Sequence, residues 1–168
     1  MSCYCGSKKN FEACCQLIIN GEQLAKTPEQ LMRSRYSAYA CKNATYLYQT
    51  YANSAKKLQS IAEIEEWATQ TLWLKLNIIN SDIVDIKSYS STTNNQPFPT
   101  VEFSALYIHE KTFCELREKS RFIKENQQWR YLDGDIIKHA ELSPPKRNSP
   151  CLCDSGLKFK HCCLLKLA

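Results

Sequence analysis

The stretch IAEIEEWATQTLWLKLNII, residues 61–79, changes its hydrophobic period part-way along its length. The apolar residues of its first part recur at the three- to four-residue spacing of one helix face: Ile61, Ile64, Ala68 and Leu72. After Trp73, apolar and polar residues alternate, as they do in a strand with one buried face. We therefore expect helices before this point and strands after it.

The residues before this stretch carry helix-start signals. Thr27 is a candidate N-cap, Pro28 suits the first helical position, and Gln30 completes a capping box. A helix is predicted to follow, with a second short helix over 44–51. A third is predicted to start at Ser60, which has Glu63 three residues later.

The residues after it are predicted to form an antiparallel sheet. Strands are expected over 73–79, 82–90, 100–110, 113–125 and 129–134, with turns at 80–81 and 126–128. The polar, proline-containing stretch between residues 90 and 99 is predicted to be a loop. Helices followed by consecutive strands joined by short turns indicate an α+β domain.

The composition is that of a globular protein rather than a membrane protein. The chain has 168 residues, of which 43% are hydrophobic and 23% are charged. It contains neither an apolar run long enough to span a bilayer nor the pattern of a secretory leader, so a cytoplasmic location without membrane contact is expected. Disulfides are disfavoured in that compartment, and the ten cysteines need another explanation.

Eight of these cysteines form an internal repeat. Residues 3–15 read CYCGSKKNFEACC and residues 151–163 read CLCDSGLKFKHCC. Both contain Cys-x-Cys, eight intervening residues and Cys-Cys, with a serine and a phenylalanine at matching positions. The two quartets are Cys3, Cys5, Cys14 and Cys15, and Cys151, Cys153, Cys162 and Cys163.

Each quartet is predicted to bind one structural Zn²⁺ ion through four thiolates. Cysteines at i and i+2 of an extended segment point to the same side, so both sulfurs reach one ion. Strained vicinal disulfides, reactive thiols and an iron–sulfur cluster are the alternatives. Small exposed thiolate sites are also expected to lose metal and oxidise in a purified sample. Cys41 and Cys114 lie outside the repeat and are predicted to be buried side chains.

The formal charge of +5 is concentrated in the last 25 residues, which carry five basic groups and one acidic group. Two Cys₄ zinc sites would each add two negative charges and bring the chain to about +1. A broad nucleic-acid surface is therefore poorly supported. A basic patch remains in the C-terminal segment, made of Lys146, Arg147, Lys158, Lys160 and Lys166.

Both cysteine stretches resemble the SEC-C motif, the zinc-binding element at the C-terminus of the SecA translocation ATPase. Its pattern is C-x-C-G-S-G-x-K-[YF]-K-x-C-[CH]. The C-terminal copy departs from it where Asp154 replaces the first glycine, and the N-terminal copy where Lys8 replaces the second. Neither departure removes a cysteine. The resemblance implies zinc binding and a role in contacting another protein.

The stretches LMRSRYSAY, EKSRFIKEN and WRYLDG resemble the YchJ family of small bacterial proteins, which carry SEC-C motifs at one or both ends. This resemblance implies a middle domain similar to nuclear transport factor 2, in which a curved antiparallel sheet wraps around N-terminal helices to form a cone. The expected divisions are 1–20, 25–140 and 146–168, with zinc modules at both ends. The resemblance implies a fold and a metal but no reaction.

A cone of this kind could hold a pocket. Asp133 is predicted to share a strand face with Trp129 and Tyr131, and one inward-facing arginine is predicted to pair with Asp133 or to bind an anion. On a helix, Arg33 and Arg35 are about 200° apart, so at most one of them faces the sheet. The candidate pocket residues are Arg33, Arg35, Tyr36, Arg121, Trp129, Tyr131 and Asp133.

Three hypotheses follow from these patterns. The first is a non-enzymatic zinc-binding protein whose two modules contact another protein, because no phosphate loop, nucleophile elbow or metalloprotease motif is present. The second is a small-molecule binder or acid–base enzyme that uses the cone pocket. The third is salt-sensitive association with nucleic acid or the ribosome through the basic C-terminal module.

Overall fold

The computed structural model describes residues 1–82, 84, 89 and 97–167. Five helices precede a four-stranded antiparallel sheet of order β1-β2-β3-β4. The helices are α1 (Cys15–Ile19), α2 (Pro28–Ala40), α3 (Ala44–Gln49), α4 (Asn53–Lys56) and α5 (Ile61–Gln70). The strands are β1 (Thr71–Ser81), β2 (Thr100–His109), β3 (Thr112–Glu125) and β4 (Gln128–Leu142). Two 3₁₀ turns, Phe159–His161 and Cys163–Lys166, follow near the C-terminus.

The predicted helix starts are confirmed. The Thr27 hydroxyl accepts a hydrogen bond from the backbone N–H of Gln30, and Pro28 is the first residue of α2. The Ser60 side chain caps α5 in the same way, by accepting from the N–H of Glu63. Local capping chemistry therefore fixes where the two longest helices begin.

The change from helix to strand lies two residues before the predicted one, so Leu72, which was assigned to the helix face, belongs to β1. α5 ends at Gln70 and β1 begins at Thr71, so the predicted strand is extended by two residues at each end. The predicted turn at Asn80 and Ser81 is wrong, because both residues belong to β1 and pair with β2. The strand predicted over 82–90 and most of the loop after it lie outside the described residues.

Tight turns join the last three strands. Glu110 and Lys111 connect β2 to β3, and both have positive φ angles, 47° and 65°. Asn126 and Gln127 connect β3 to β4 with φ angles of 49° and 59°. Two consecutive left-handed residues match the right-handed twist of the flanking strands, which favours antiparallel pairing of neighbours.

The outer strands of the sheet contain register shifts. In β1 they occur between Trp73 and Lys75 and between Ile78 and Asn80. The pairing of β4 with β3 also contains two register shifts, both on the β4 side. The pairing of β2 with β3 has none. A bulge bends a strand and increases its twist. The shifts in the outer strands are thus consistent with a sheet that curves around α2.

The helices pack on one face of this sheet. Val101, Phe103, Ala105 and Tyr107 alternate along β2 and are all buried against them. α2 contacts β1, β2 and β4, and the main core includes Leu31, Met32 and Tyr36 of that helix. The predicted α+β architecture is confirmed. Among the described residues, no helix combines the length and the apolar character needed to cross a membrane.

Candidate metal centres

The four sulfur atoms of the N-terminal quartet lie together. Cys3 and Cys5 belong to the first extended segment, and Cys14 and Cys15 lie at the start of α1. The four sulfurs are all within 4.8 Å of one another, and those of Cys5 and Cys14 are 3.8 Å apart. Sulfurs arranged as a tetrahedron around a zinc ion at roughly 2.3 Å are separated by about 3.8 Å. The quartet could therefore hold one metal ion.

The C-terminal quartet has the same arrangement. Its sulfurs are also within 4.8 Å of one another. The Cys153 sulfur is 3.5 Å from that of Cys151 and 3.4 Å from that of Cys162, and the sulfurs of Cys162 and Cys163 are 4.0 Å apart. All ten cysteines of the chain are described, and all are free. The arrangement does not support the disulfide alternative.

The sequence repeat is also a repeat in three dimensions. Cys3 N donates to Lys9 O at 2.8 Å, and the equivalent bond from Cys151 N to Leu157 O is 2.9 Å. The backbone pair Ser2 and Asn10 recurs as Pro150 and Lys158. Cys14 has φ −133° and ψ −109°, and Cys162 has φ −138° and ψ −110°. Each module is thus a tight turn followed by a bend at the first residue of the cysteine pair.

Both glycine positions of the motif require positive φ angles. The first is occupied by Gly6 (φ 76°) and Asp154 (φ 63°), and the second by Lys8 (φ 63°) and Gly156 (φ 76°). This conformation costs a non-glycine residue about 1–2 kcal/mol. Each module therefore contains one strained residue where the motif has glycine.

Lys8→Gly is expected to raise the stability of the N-terminal module by about 0.5–1 kcal/mol, because glycine removes the strain but adds freedom to the unfolded chain. Gly156→Ala is expected to lower the stability of the C-terminal module by a similar amount. The measurement is the chelator concentration at half-loss of metal. An unchanged midpoint in both variants would contradict the role assigned to these angles.

A serine hydroxyl contacts one cysteine sulfur in each module. The Ser7 oxygen is 3.3 Å from the Cys14 sulfur, and the Ser155 oxygen is 3.2 Å from the Cys162 sulfur. The serines also accept from the backbone N–H of Lys9 and of Leu157. With a thiolate as acceptor, the hydroxyl donates to the sulfur and orients it toward a metal. The serine at matching positions of the two copies was the sequence signal for this contact.

Hydrogen bonds between the cysteines stabilise one thiolate in each quartet, whereas burial and the neighbouring sulfurs raise the pKa of Cys5, Cys15, Cys162 and Cys163. The thiols of Cys15 and Cys5 donate to Cys3 and hold its pKa far below the ordinary value. In the other module, burial raises the pKa of Cys153, but hydrogen bonds from Ser155 and Cys162 prevail and lower it to about 7. The thiolate is the form that binds a metal, so the chemistry of both donor sets fits a soft divalent ion.

The N-terminal module is fastened to α2. Arg33 donates through Nη1 to the carbonyl oxygen of Cys5 at 2.7 Å, and its Nε donates to Glu29 at 2.8 Å. The Cys3 sulfur is 3.7 Å from the Ser37 hydroxyl, one turn further along the same helix face. Arg33 therefore positions the module from outside the cone, and no local sequence pattern pointed to this contact.

The C-terminal module packs on the first half of β1 and on the β2–β3 hairpin. Cys151, Phe159 and Cys163 form a buried cluster with Ile108 and Phe113, and Leu72 and Leu74 pack against it. The rings of Phe159 and Phe113 meet edge to face with centroids 5.7 Å apart. Lys75 adds an ion pair with Asp154 at 3.1 Å. Both modules thus have tertiary support beyond their own few residues.

The two quartets differ in exposure. Cys3, Cys5 and Cys15 are buried in the N-terminal one, whereas Cys153 and Cys162 of the other are both partly exposed. We expect a chelator to remove metal in two phases, with the C-terminal site faster. Cys163→Ser should abolish the fast phase, and Cys15→Ser the slow one. A slow phase that disappears in Cys163→Ser would contradict the assignment.

The structure brings together some of the predicted pocket residues. Arg35, Tyr36 and Tyr131 line a cavity of about 170 Å³ beneath α2. Trp129 is buried in the core instead, with its indole N–H donating to Lys26 O at 3.1 Å. Arg33 is on the outer side of α2, as the helical spacing requires when Arg35 faces inward.

Asp133 does not form a buried ion pair with the inward-facing Arg35, which was one of its candidate partners. Asp133 pairs instead with Arg121 of β3, which also contacts Asp135 at 2.6 Å. These ion pairs are exposed to solvent and together raise the pKa of Arg121. The register shift beside Leu132 reverses the alternation of β4, so Asp133 faces away from Tyr131 rather than sharing its side.

The two remaining cysteines differ from each other. Cys114 is buried, as predicted. Cys41 is exposed, because it follows the last residue of α2 on the surface. The sequence prediction for Cys41 is therefore wrong.

Two family models match the chain. The one described as "YchJ, middle NTF2-like domain" matches residues 27–134, and the SEC-C motif matches residues 147–165. The N-terminal quartet lies outside both matched segments, although its geometry repeats that of the C-terminal one.

Curated relatives match along nearly the whole chain. A UPF0225 protein of Vibrio cholerae serotype O1 is 39% identical over 164 residues, covering 97% of this chain and 99% of the relative. A UPF0225 protein of Photorhabdus laumondii is 37% identical over 165 residues, covering 96% and 97%.

Two solved structures share the fold. The solution structure of a SEC-C motif containing protein from Rhodopseudomonas palustris superposes with a TM-score of 0.68 at 28% identity, covering 82% of this chain and all of that one. The crystal structure of a SEC-C motif containing protein from Psychrobacter arcticus gives a TM-score of 0.60 at 25% identity, covering 98% and 94%.

Proposed function

This chain belongs to the YchJ-like family, whose curated relatives carry the name UPF0225, and from that premise we propose that it is a non-enzymatic zinc-binding protein. In this proposal each Cys₄ quartet holds one structural Zn²⁺, and the modules present a surface to another protein. The observation that carries it is the pair of matching sulfur clusters. In each cluster the four sulfurs are close enough together to surround one tetrahedral ion.

Zinc suits these sites better than the other soft ions. Four thiolates with no open position form a closed tetrahedral site, which is the arrangement of structural zinc. The cytoplasm is the proposed location, because reducing conditions keep the thiolates available. Iron–sulfur ligation remains the competing chemistry, since it also uses four thiolates. Cys5, Cys15 and Cys163 are the best-shielded ligands of the proposed zinc sites.

The C-terminal module is the proposed contact surface. Leu157 and Leu165 are 51% and 67% exposed, and the exposed Lys158 and Lys166 lie one residue beyond each of them. This combination of apolar and basic side chains fits a partner that presents acidic residues around an apolar patch. The metal would act by holding the turn that displays these side chains.

Elemental analysis of freshly reduced protein tests the metal. Two zinc ions per chain are expected, one for each quartet. Iron with inorganic sulfide, or no metal, would overturn the proposal. Zinc loss should accompany acidification, because protonated thiols do not coordinate.

A matched pair of variants tests the surface. The double variant Leu157→Ser with Leu165→Ser should no longer retain the partner protein that the wild-type chain retains in a pull-down. Both zinc ions should stay bound. Leu58→Ser is the control, because Leu58 is 83% exposed on the middle domain. Loss of the bound material on nuclease treatment would identify nucleic acid as the occupant instead. Retention of the partner by the double variant would place the contact elsewhere.

A further inference from the structure

The cavity beneath α2 has the size and lining of a small-molecule site. Its volume is about 170 Å³, which is close to the space needed by one substituted six-membered ring. Aromatic side chains form most of its wall: Tyr36, Tyr39, Tyr51, Trp67, Trp73 and Tyr131. Flat aromatic walls favour a flat ligand, because rings pack face to edge or offset against one another.

A buried cation lies at this wall. Arg35 is 3% exposed, and its Nη1 donates to Leu47 O at 2.8 Å and to Thr50 Oγ1 at 2.6 Å. Its guanidinium is 4.3 Å from the centre of the Tyr51 ring and 4.7 Å from that of Tyr131. None of the carboxylates in the described part of the chain forms an ion pair with it. A guanidinium buried without a carboxylate is costly, and an anionic ligand would offset that cost.

A carboxylate lies on the same wall. Glu118 Oε1 accepts from the hydroxyls of Ser120 at 2.7 Å and Tyr131 at 2.8 Å. Arg35 lies over the face of the same Tyr131 ring whose hydroxyl donates to Glu118, so both charged side chains contact this tyrosine. Gly134 makes room for this side chain, because a Cβ there would be 2.2 Å from Glu118 Oε1. The cavity wall thus carries both a cation and a carboxylate, each in contact with Tyr131.

An indole donor on the wall has no acceptor. Trp73 Nε1 is buried and, within the described ranges, no oxygen, nitrogen or sulfur accepts its hydrogen. Buried N–H groups are paired in most structures, and leaving one unpaired is costly. The rings of Tyr36 and Tyr39 hold Trp73 in place, with centroids 5.5 Å and 5.1 Å away. An acceptor atom on a bound ligand would satisfy this donor.

We propose that this cavity binds a small aromatic carboxylate that carries a hydrogen-bond donor at the far end of its ring. The ligand's carboxylate accepts from Arg35 and the Trp73 indole N–H, and its donor faces Glu118. The aromatic walls enclose the ring between them. This site is independent of the two metal centres.

The probe for this proposal is 4-aminobenzoate, titrated by calorimetry into the metal-loaded full chain. Saturable binding with one site per chain is expected, and benzoate and aniline should each bind at least about tenfold more weakly, because each lacks one of the two polar contacts. Failure of 4-aminobenzoate to bind at millimolar concentration, or equal binding of all three probes, would overturn the proposal.

Two variants separate the site from the stability of the fold. Trp73→Phe keeps an aromatic ring but removes the unpaired N–H, so it should weaken binding about tenfold in a protein that stays folded at the assay temperature. Glu118→Gln should abolish the preference for 4-aminobenzoate over benzoate. Arg35 is unsuitable as the only test, because it also fastens α3 through Leu47 and Thr50. Wild-type affinity in both variants would refute the assignment.

Discussion

Cys163→Ser is expected to lower the metal content from two ions to one and to unfold the C-terminal module. Cys163 is fully buried among Cys151, Phe159 and the β2–β3 hairpin. A structural zinc site supplies on the order of 10–16 kcal/mol of binding free energy, which a module of this size cannot replace by burial. Elemental analysis measures the metal content. Limited proteolysis should show new cleavage sites in the segment that follows Leu142, where β4 ends.

Cys41→Ser is the control for this variant. Cys41 is exposed and lies outside both quartets, so this change should leave two ions bound. Cys15→Ser should remove the other ion, and the double variant Cys15→Ser with Cys163→Ser should bind none. If Cys163→Ser still bound two ions, the C-terminal quartet would not be a metal site.

Trp129→Ala is expected to lower the free energy of unfolding by about 3–5 kcal/mol, because it removes a large side chain from the centre of the main core. Trp129 is 1% exposed, and its ring packs at a tilt against that of Tyr89, with the centroids 5.1 Å apart. Its indole N–H also donates to Lys26 O, just before α2, and this carbonyl would lose its partner. Urea denaturation of the metal-loaded protein measures the change.

Two further variants isolate the cause. Leu58→Ala, at an exposed position, should change the stability by no more than about 0.5 kcal/mol. Trp129→Phe keeps an aromatic ring in the core and should cost less than Trp129→Ala; its own cost combines the smaller ring with the lost bond to Lys26 O. A Trp129→Ala variant as stable as the wild type would mean that this residue is not central to the core.

The two cysteine quartets were the most predictable feature, because the spacing that forms each of them is local. The two quartets each lie within a few residues of chain, so spacing alone places the sulfurs near one another. Ser7 and Ser155 could also be matched between the two copies from the sequence alone. Spacing could not predict how each module is attached to the middle domain, because Arg33 and Lys75 contact residues far away in sequence.

The candidate pocket was predictable only in part. Helical spacing correctly allowed only one of Arg33 and Arg35 to face the sheet. Strand alternation failed at Asp133, because it assumes an unbroken register and β4 shifts its register beside Leu132. Glu118, which holds the Tyr131 hydroxyl, carried no sequence signal at all.

The sequence by itself determined the features set by neighbouring residues. These are the cap at Thr27, the change from helix to strand close to Trp73, the turn after Glu125 and the composition of both cysteine quartets. Each depends on backbone chemistry over a few residues, which is written directly in the order of side chains.

The tertiary structure alone decided which distant groups meet. A bulge between Trp73 and Lys75 lets both Trp73 and Leu76 face the helices, and a bulge in β4 sends Asp133 to Arg121. The placement of Arg35 against Tyr131 depends in the same way on how α2 packs across the sheet. A one-residue shift in register reverses every side chain beyond it, and only packing of the whole domain selects where that shift occurs.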